Sequence, residues 1–169
     1  PDVCITAIGK QWAWDFQYNG DTAGCEAGEN GVWTMGVQAQ TDAKGDITSD
    51  VPTLYLPVDK KVKIKLTSRD VIHSFWIIDF LYKKDMYIGK DNYMSFEPTR
   101  IGEYDGKCAE LCGEYHSMML FKVKVVSESD YTDYLKTLRD AGQTGDINDA
   151  YDRLQNLPGT GASESKGDH

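Results

Sequence analysis

The sequence predicts an all-β fold, an antiparallel sandwich or Greek-key barrel with a long loop excursion and short C-terminal helices. Apolar and polar residues alternate at period two in several short runs, Gly and Pro recur between those runs, and helical periodicity is absent before residue 129. At 169 residues and 40% hydrophobic, the chain can bury one domain-sized core.

In ITAIGKQWAWDFQYNG the aromatics Trp12, Trp14, Phe16 and Tyr18 alternate with Gln11, Ala13, Asp15 and Gln17. That pattern predicts one continuous strand with an aromatic face, ended by Asn19-Gly20. Residues 20–50 are rich in Gly, Asp, Asn and Thr and read as an excursion, carrying the short VWTMGVQAQ island and a hairpin of its own. TLYLPVDKKVKIKLTSRDVIHSFWI then predicts two strands joined by a turn at Asp59-Lys60. Val62, Ile64 and Leu66 face inward, Lys61, Lys63 and Lys65 face water, and His73 lies at the end of the second strand. A strand over 92–96 follows, EPTRIGEYDG supplies a turn and a short strand, and LFKVKVVS closes the β region with the same alternation. After Ser129, Tyr131, Leu135 and Leu138 recur at helical spacing, with a stop at Gly142. Asp146 caps a second helix with Ile147, Tyr151, Leu154 and Leu157 on one face, ended by Pro158-Gly159. The final GTGASESKGDH holds no apolar residue larger than Ala and is expected to be disordered. The domain plan is therefore 1–128 for the β domain, with the excursion at 20–50, then a helical extension over 129–158 and a tail over 159–169.

A net charge of −9 argues against nucleic acid, whose binding needs clustered cations. An acidic surface suits a basic protein partner, or simply keeps the chain in solution. The longest apolar run, Phe75 to Ile78, is too short to cross a bilayer. Because the chain begins at Pro1, it is expected to be a piece of a longer protein, with room for a membrane anchor in the missing part.

Chemistry concentrates in CAELCGEYHSMM, residues 108–119. Apart from His169 in the tail, His73 and His116 carry all the imidazole chemistry of the fold. Cys108 and Cys112 allow a strained disulfide, a zinc site with His73 and His116, or a nucleophilic thiol with His116 as base. Met119 tips the reading, because zinc has little use for a thioether and copper takes soft sulfur alongside imidazole. A Cys–His–Met loop between late strands, with a distant upstream His, is how blue-copper domains are built. The second Cys is redundant for one metal and is what two metals bridged by two sulfurs require.

The combination C-x-E-x-C-G-x-x-H-x-x-M, the V-I-H-S-F segment and G-x-Q-W-x-W near the start resembles subunit II of the haem-copper cytochrome c oxidases. The resemblance covers the copper-A domain, roughly Ile5 to Val126 apart from the excursion. It implies a cupredoxin-like Greek-key barrel holding two coppers, which passes single electrons from a c-type cytochrome to the catalytic subunit I; oxygen is reduced in that other subunit. Cys108 and Cys112 would bridge the coppers. His73 and Met119 would complete one metal, and His116 with the Glu110 backbone carbonyl the other. The Glu110 carboxylate would face the catalytic subunit and help to hold magnesium. Trp12 matches the tryptophan through which electrons enter, whereas Trp14 reads as a core aromatic. The domain would stand on the extracytoplasmic side of the membrane.

Three departures bear on how a cytochrome docks: Ala13 where an aromatic is common, Ile88 where Pro is usual, and the length of the excursion. A donor tethered within a supercomplex is as compatible with the chain as a diffusing one. The alternatives are the copper-A domain of nitrous oxide reductase, a zinc-stabilised β-sandwich acting as an interaction module, and a copper chaperone. Glu110 between the cysteines and the Q-W-x-W strand favour the oxidase. Cys4 and Cys25 lie outside the motif. On the extracytoplasmic side such thiols tend to oxidise, which favours a disulfide between them over two unrelated thiols. A rigid strand over Ile5 to Tyr18 would span roughly 40 Å, so the pair can meet only if the loop folds back or the strand breaks near Gly9.

Overall fold

The computed structural model describes residues 1–80 and 82–151. Among them, two five-stranded sheets enclose one core. The strands are β1 (Val3–Lys10), β2 (Ala13–Tyr18), β3 (Val32–Met35), β4 (Thr53–Pro57), β5 (Val62–Ser68), β6 (His73–Ile77), β7 (Tyr82–Met86), β8 (Asn92–Phe96), β9 (Gly102–Cys108) and β10 (Leu120–Val126). One sheet has the order β3-β2-β1-β5-β8 and the other β4-β10-β9-β6-β7. The lysine-alternating strand β5 behaves as its pattern dictates: Val62, Ile64 and Leu66 are buried while Lys63 and Lys65 lean outward. Trp14, Phe75 and Phe121 pack edge-on or stacked at centroid distances of 4.9–5.8 Å, the geometry that aromatic quadrupoles favour.

Four expectations are corrected. The aromatic run is two strands: β1 and β2 form a hairpin that turns at Gln11–Trp12, with Lys10 opposite Ala13 and Ile5 opposite Tyr18. Both faces of this hairpin are buried, so Lys10, Asp15 and Gln17 must find partners inside the protein. Lys10 Nζ lies 2.7 Å from Asp15 Oδ1, which also accepts from the Gly36 N–H. Second, His73 begins a new strand rather than ending β5, because residues 69–72 carry the chain across to the other sheet. Third, the sheets are mixed rather than purely antiparallel. The turn at Asp59, at φ 58°, sends β4 and β5 into different sheets, where they pair in parallel with β10 and β1. Fourth, β7 (YKKDM) was not expected, since its adjacent lysines break the alternation; it is an edge strand, where such residues meet water.

The excursion contributes β3 to the first sheet and has short bridges of its own at Asp21–Glu26 and Thr41–Ile47. Helix α1 (Glu128–Asp140) is capped by Ser127, whose hydroxyl accepts from the Asp130 N–H. It buries Tyr131 and Leu138 and stacks Tyr134 on Tyr55 at 3.6 Å. After Gly142 the chain straps over β3, with the Trp33 N–H bonded to Gln143 O and the Ile147 N–H to Gln17 Oε1. Asp146 does cap α2 (Ile147–Ala150), but this helix is a single turn. Tyr151 is already extended, at ψ 128°, and its ring lies under the Arg69 guanidinium at 3.6 Å. The expected continuation through Leu154 and Leu157, and the tail, lie outside the described residues.

Candidate metal centre

The site forms where the ends of three strands meet. His73 opens β6, Cys108 closes β9, and the loop between β9 and β10 carries Glu110, Cys112, His116 and Met119. This loop is pinned at both ends: the Cys108 N–H donates to Met119 O and the Ala109 N–H to Ser74 O, each at 3.2 Å. Gly113, at φ +126°, makes the sharp bend that returns His116 toward the cysteines.

The two sulfurs face each other at 3.7 Å and are not bonded. Cys108 Sγ lies 3.8 Å from His73 Nδ1 and 3.1 Å from the Glu110 carbonyl oxygen. Cys112 Sγ lies 3.3 Å from His116 Nδ1 and 3.8 Å from Met119 Sδ. Each sulfur therefore has beside it one member of each of the two expected ligand pairs, His73 with Met119 and His116 with the Glu110 carbonyl. His73, Cys108, Cys112 and Met119 are buried, and the Glu110 side chain is exposed. The atoms of His73, Cys108 and Cys112 all lie within 4.8 Å of one another, a group that does not extend to His116.

The protons are distributed unevenly. Burial raises the Cys108 thiol, but the hydrogen bond to His73 and those of the surrounding backbone outweigh it and hold this thiol below its ordinary value. Burial, followed by the negative charge on Cys108, pushes Cys112 up to about 12. Cys108 thus gives up its proton more readily than Cys112, and a metal bridging both must displace the proton that Cys112 holds. Burial pulls His73 down, yet Asp70 and Cys108 overcome it and hold the imidazole above its usual value. The Asp70 contact, Oδ1 to His73 Nε2 at 2.8 Å, leaves Nδ1 turned toward Cys108. Sequence reasoning passed over Asp70, although its position three residues before His73 was a usable signal.

Trp12 is half-buried beside the loop. Its indole N–H donates to the Cys112 carbonyl at 3.3 Å, and its ring meets Tyr115 edge-on at 4.9 Å. Trp14, fully buried, donates to Met119 O. Cys4 and Cys25 stand apart from the site and are joined as a disulfide, with Cα atoms 5.4 Å apart. Both conditions for their meeting are present. The strand breaks at Gln11–Trp12, and the excursion folds back through the Gly20 N–H to Ala27 O bond.

The family described as cytochrome C oxidase subunit II, periplasmic domain, matches residues 3–126. A probable cytochrome c oxidase subunit 2 of Streptomyces avermitilis is 42% identical over 170 residues, covering 86% of this chain and 51% of that one. The chain spans about half the length of the curated relatives it matches. Among solved structures, the periplasmic domain of subunit II of cytochrome oxidase from Bradyrhizobium japonicum superposes with a TM-score of 0.68 at 27% identity, covering 83% of this chain and 95% of that one. A second similar structure, with TM-score 0.65 and 27% identity over 83% of this chain and 92% of that one, is a mixed disulfide intermediate between a thioredoxin-like protein and subunit II of cytochrome c oxidase. The two-sheet architecture is thus the cupredoxin-like one of that periplasmic domain.

Proposed function

The chain belongs to the cytochrome c oxidase subunit II family, and from that premise we propose that it is the extracytoplasmic electron-transfer domain of a terminal oxidase. It would take electrons from a c-type cytochrome at a binuclear copper-A centre and deliver them to the catalytic subunit I. Oxygen reduction belongs to that other subunit, and membrane attachment to a segment outside this chain.

One observation carries the reading: two facing sulfurs, each flanked by one donor of either ligand pair. The donor set suits copper, since two thiols, two imidazoles and a thioether are soft or borderline ligands. Cys108 and Cys112 would bridge, His73 and Met119 would serve one copper, and His116 and the Glu110 carbonyl the other. When bound, such a pair supplies a one-electron centre whose charge is spread over two metals and two sulfurs. The protein's part is to keep these donors from moving. The pinned loop ends and the Asp70–His73 bond hold the ligands, and His73, Cys108, Cys112 and Met119 are buried away from solvent. Trp12 reaches from the surface to the Cys112 carbonyl and would be the point where electrons enter. The exposed Glu110 carboxylate is free to help hold magnesium at the junction with subunit I. The two thiols would also be reduced, if they oxidise to a disulfide, by a thioredoxin-like dithiol before copper is loaded.

A single tetrahedral zinc is less well served, because the close donor group omits His116. Metal analysis tests the proposal. Two coppers per chain in a purple protein support it; a colourless protein holding one zinc overturns it.

A further inference from the structure

We propose that Gln11, at the β1–β2 turn, is a positioning residue of the metal centre, tying the two ligand-bearing segments to each other; this rests on the copper reading above. The ligands come from His73 and from residues 108–119, at one end of the second sheet, whereas Gln11 sits in a turn between two strands of the first. Its backbone N–H donates to Asp70 Oδ2 at 2.7 Å, and the other oxygen of that carboxylate holds His73 Nε2 at 2.8 Å. Its side-chain Nε2 donates to the Cys112 carbonyl at 2.9 Å. One residue therefore orients an imidazole through its main chain and a cysteine peptide through its side chain.

The turn is held by contacts on several sides. Behind it, the Lys10–Asp15 pair is fully buried. The Arg69 N–H donates to Gly9 O at 2.9 Å, which ties the turn to the loop leading into His73. Gly9 lies flat against the imidazole, since a Cβ there would come within 2.9 Å of His73 Cδ2. Gly113 leaves equally little room, as a Cβ on it would stand 3.0 Å from Gln11 Nε2. A glutamine suits this point because it offers a neutral donor to a carbonyl beside the Asp70 carboxylate. Glutamate would have the same shape without the donor, and would add a second negative charge.

Groups that hold metal ligands from behind typically alter metal affinity by about 10–100-fold. The test compares the wild-type chain with Gln11→Ala and Gln11→Glu. Copper affinity is measured by competition with a chelator, the copper spectrum at full loading, and the thermal midpoint of the metal-free protein. The expected result is copper binding weaker by about tenfold or more and a shifted spectrum in both variants, with the metal-free midpoint nearly unchanged. Variants that bind copper with wild-type affinity and spectrum would overturn the proposal. So would a metal-free midpoint that falls in step with affinity, which would make Gln11 a structural residue. A wild-type chain that takes no copper pair would instead overturn the underlying reading.

Discussion

Cys108 and Cys112 make different contacts although they face each other, and both would be needed as bridges. Cys108 meets His73 and the Glu110 carbonyl; Cys112 meets His116 and Met119. Removing either leaves one bridge, which cannot hold two metals symmetrically. Cys108→Ser and Cys112→Ser are each expected to abolish the two-copper absorption, and an intact mixed-valence signal in either variant would disprove bridging. Met119→Leu should be milder, because a thioether is a weak ligand that tunes potential more than it holds metal. Copper content should stay near wild type while the reduction potential shifts. Trp12 sits differently, touching the loop through a hydrogen bond to a carbonyl that Gln11 also serves and through the edge of Tyr115. Trp12→Phe should therefore keep the copper absorption and slow reduction by the cytochrome in stopped flow. Unchanged transfer would place the electron path elsewhere.

The disulfide is the clearest case at the scale of elements. It joins the start of β1 to the excursion across a separation of 21 residues. In the chain-entropy account, a loop of that length is worth about 3 kcal/mol. The double variant Cys4→Ser/Cys25→Ser is expected to lose about that much in denaturant unfolding, while keeping the proposed copper site, which lies at the far end of the β1–β2 hairpin. A thiol count on denatured, copper-free, unreduced wild-type chain should find Cys108 and Cys112 alone; reactive Cys4 and Cys25 would contradict the bond. The same elements show what the sequence reveals. β5 was legible because lysines alternate with buried Val62, Ile64 and Leu66, and one side of that strand meets water. The break at Gln11–Trp12 was not, because the aromatic alternation runs through the turn and no Gly or Asn-Gly stands there. Gly9, which hinted at a break, serves instead to admit the His73 ring. The spacing of Cys108, Cys112, His116 and Met119 announced the cluster of soft donor atoms that the fold brings together. Gln11 was invisible, since its partners lie 59 and 101 residues away.

Across the whole molecule the charge of −9 is unevenly placed. The excursion exposes Asp21, Glu26, Glu29, Asp42, Asp46 and Asp50 against Lys44, and α1 adds Glu128, Asp130, Asp133 and Asp140 against Lys136 and Arg139. If this surface steers a diffusing basic cytochrome, the bimolecular rate should fall steeply as salt is added, since exposed charges are screened beyond about 10 Å at 0.1 M. A flat response would point to a donor tethered in the same assembly. Neither outcome bears on the copper pair itself, which is the centre of the account. That claim is tested most directly by electron paramagnetic resonance of the copper-loaded chain after one-electron oxidation of its fully reduced form. The account predicts a hyperfine pattern from one electron shared equally by two copper nuclei; a pattern from a single copper nucleus would contradict it.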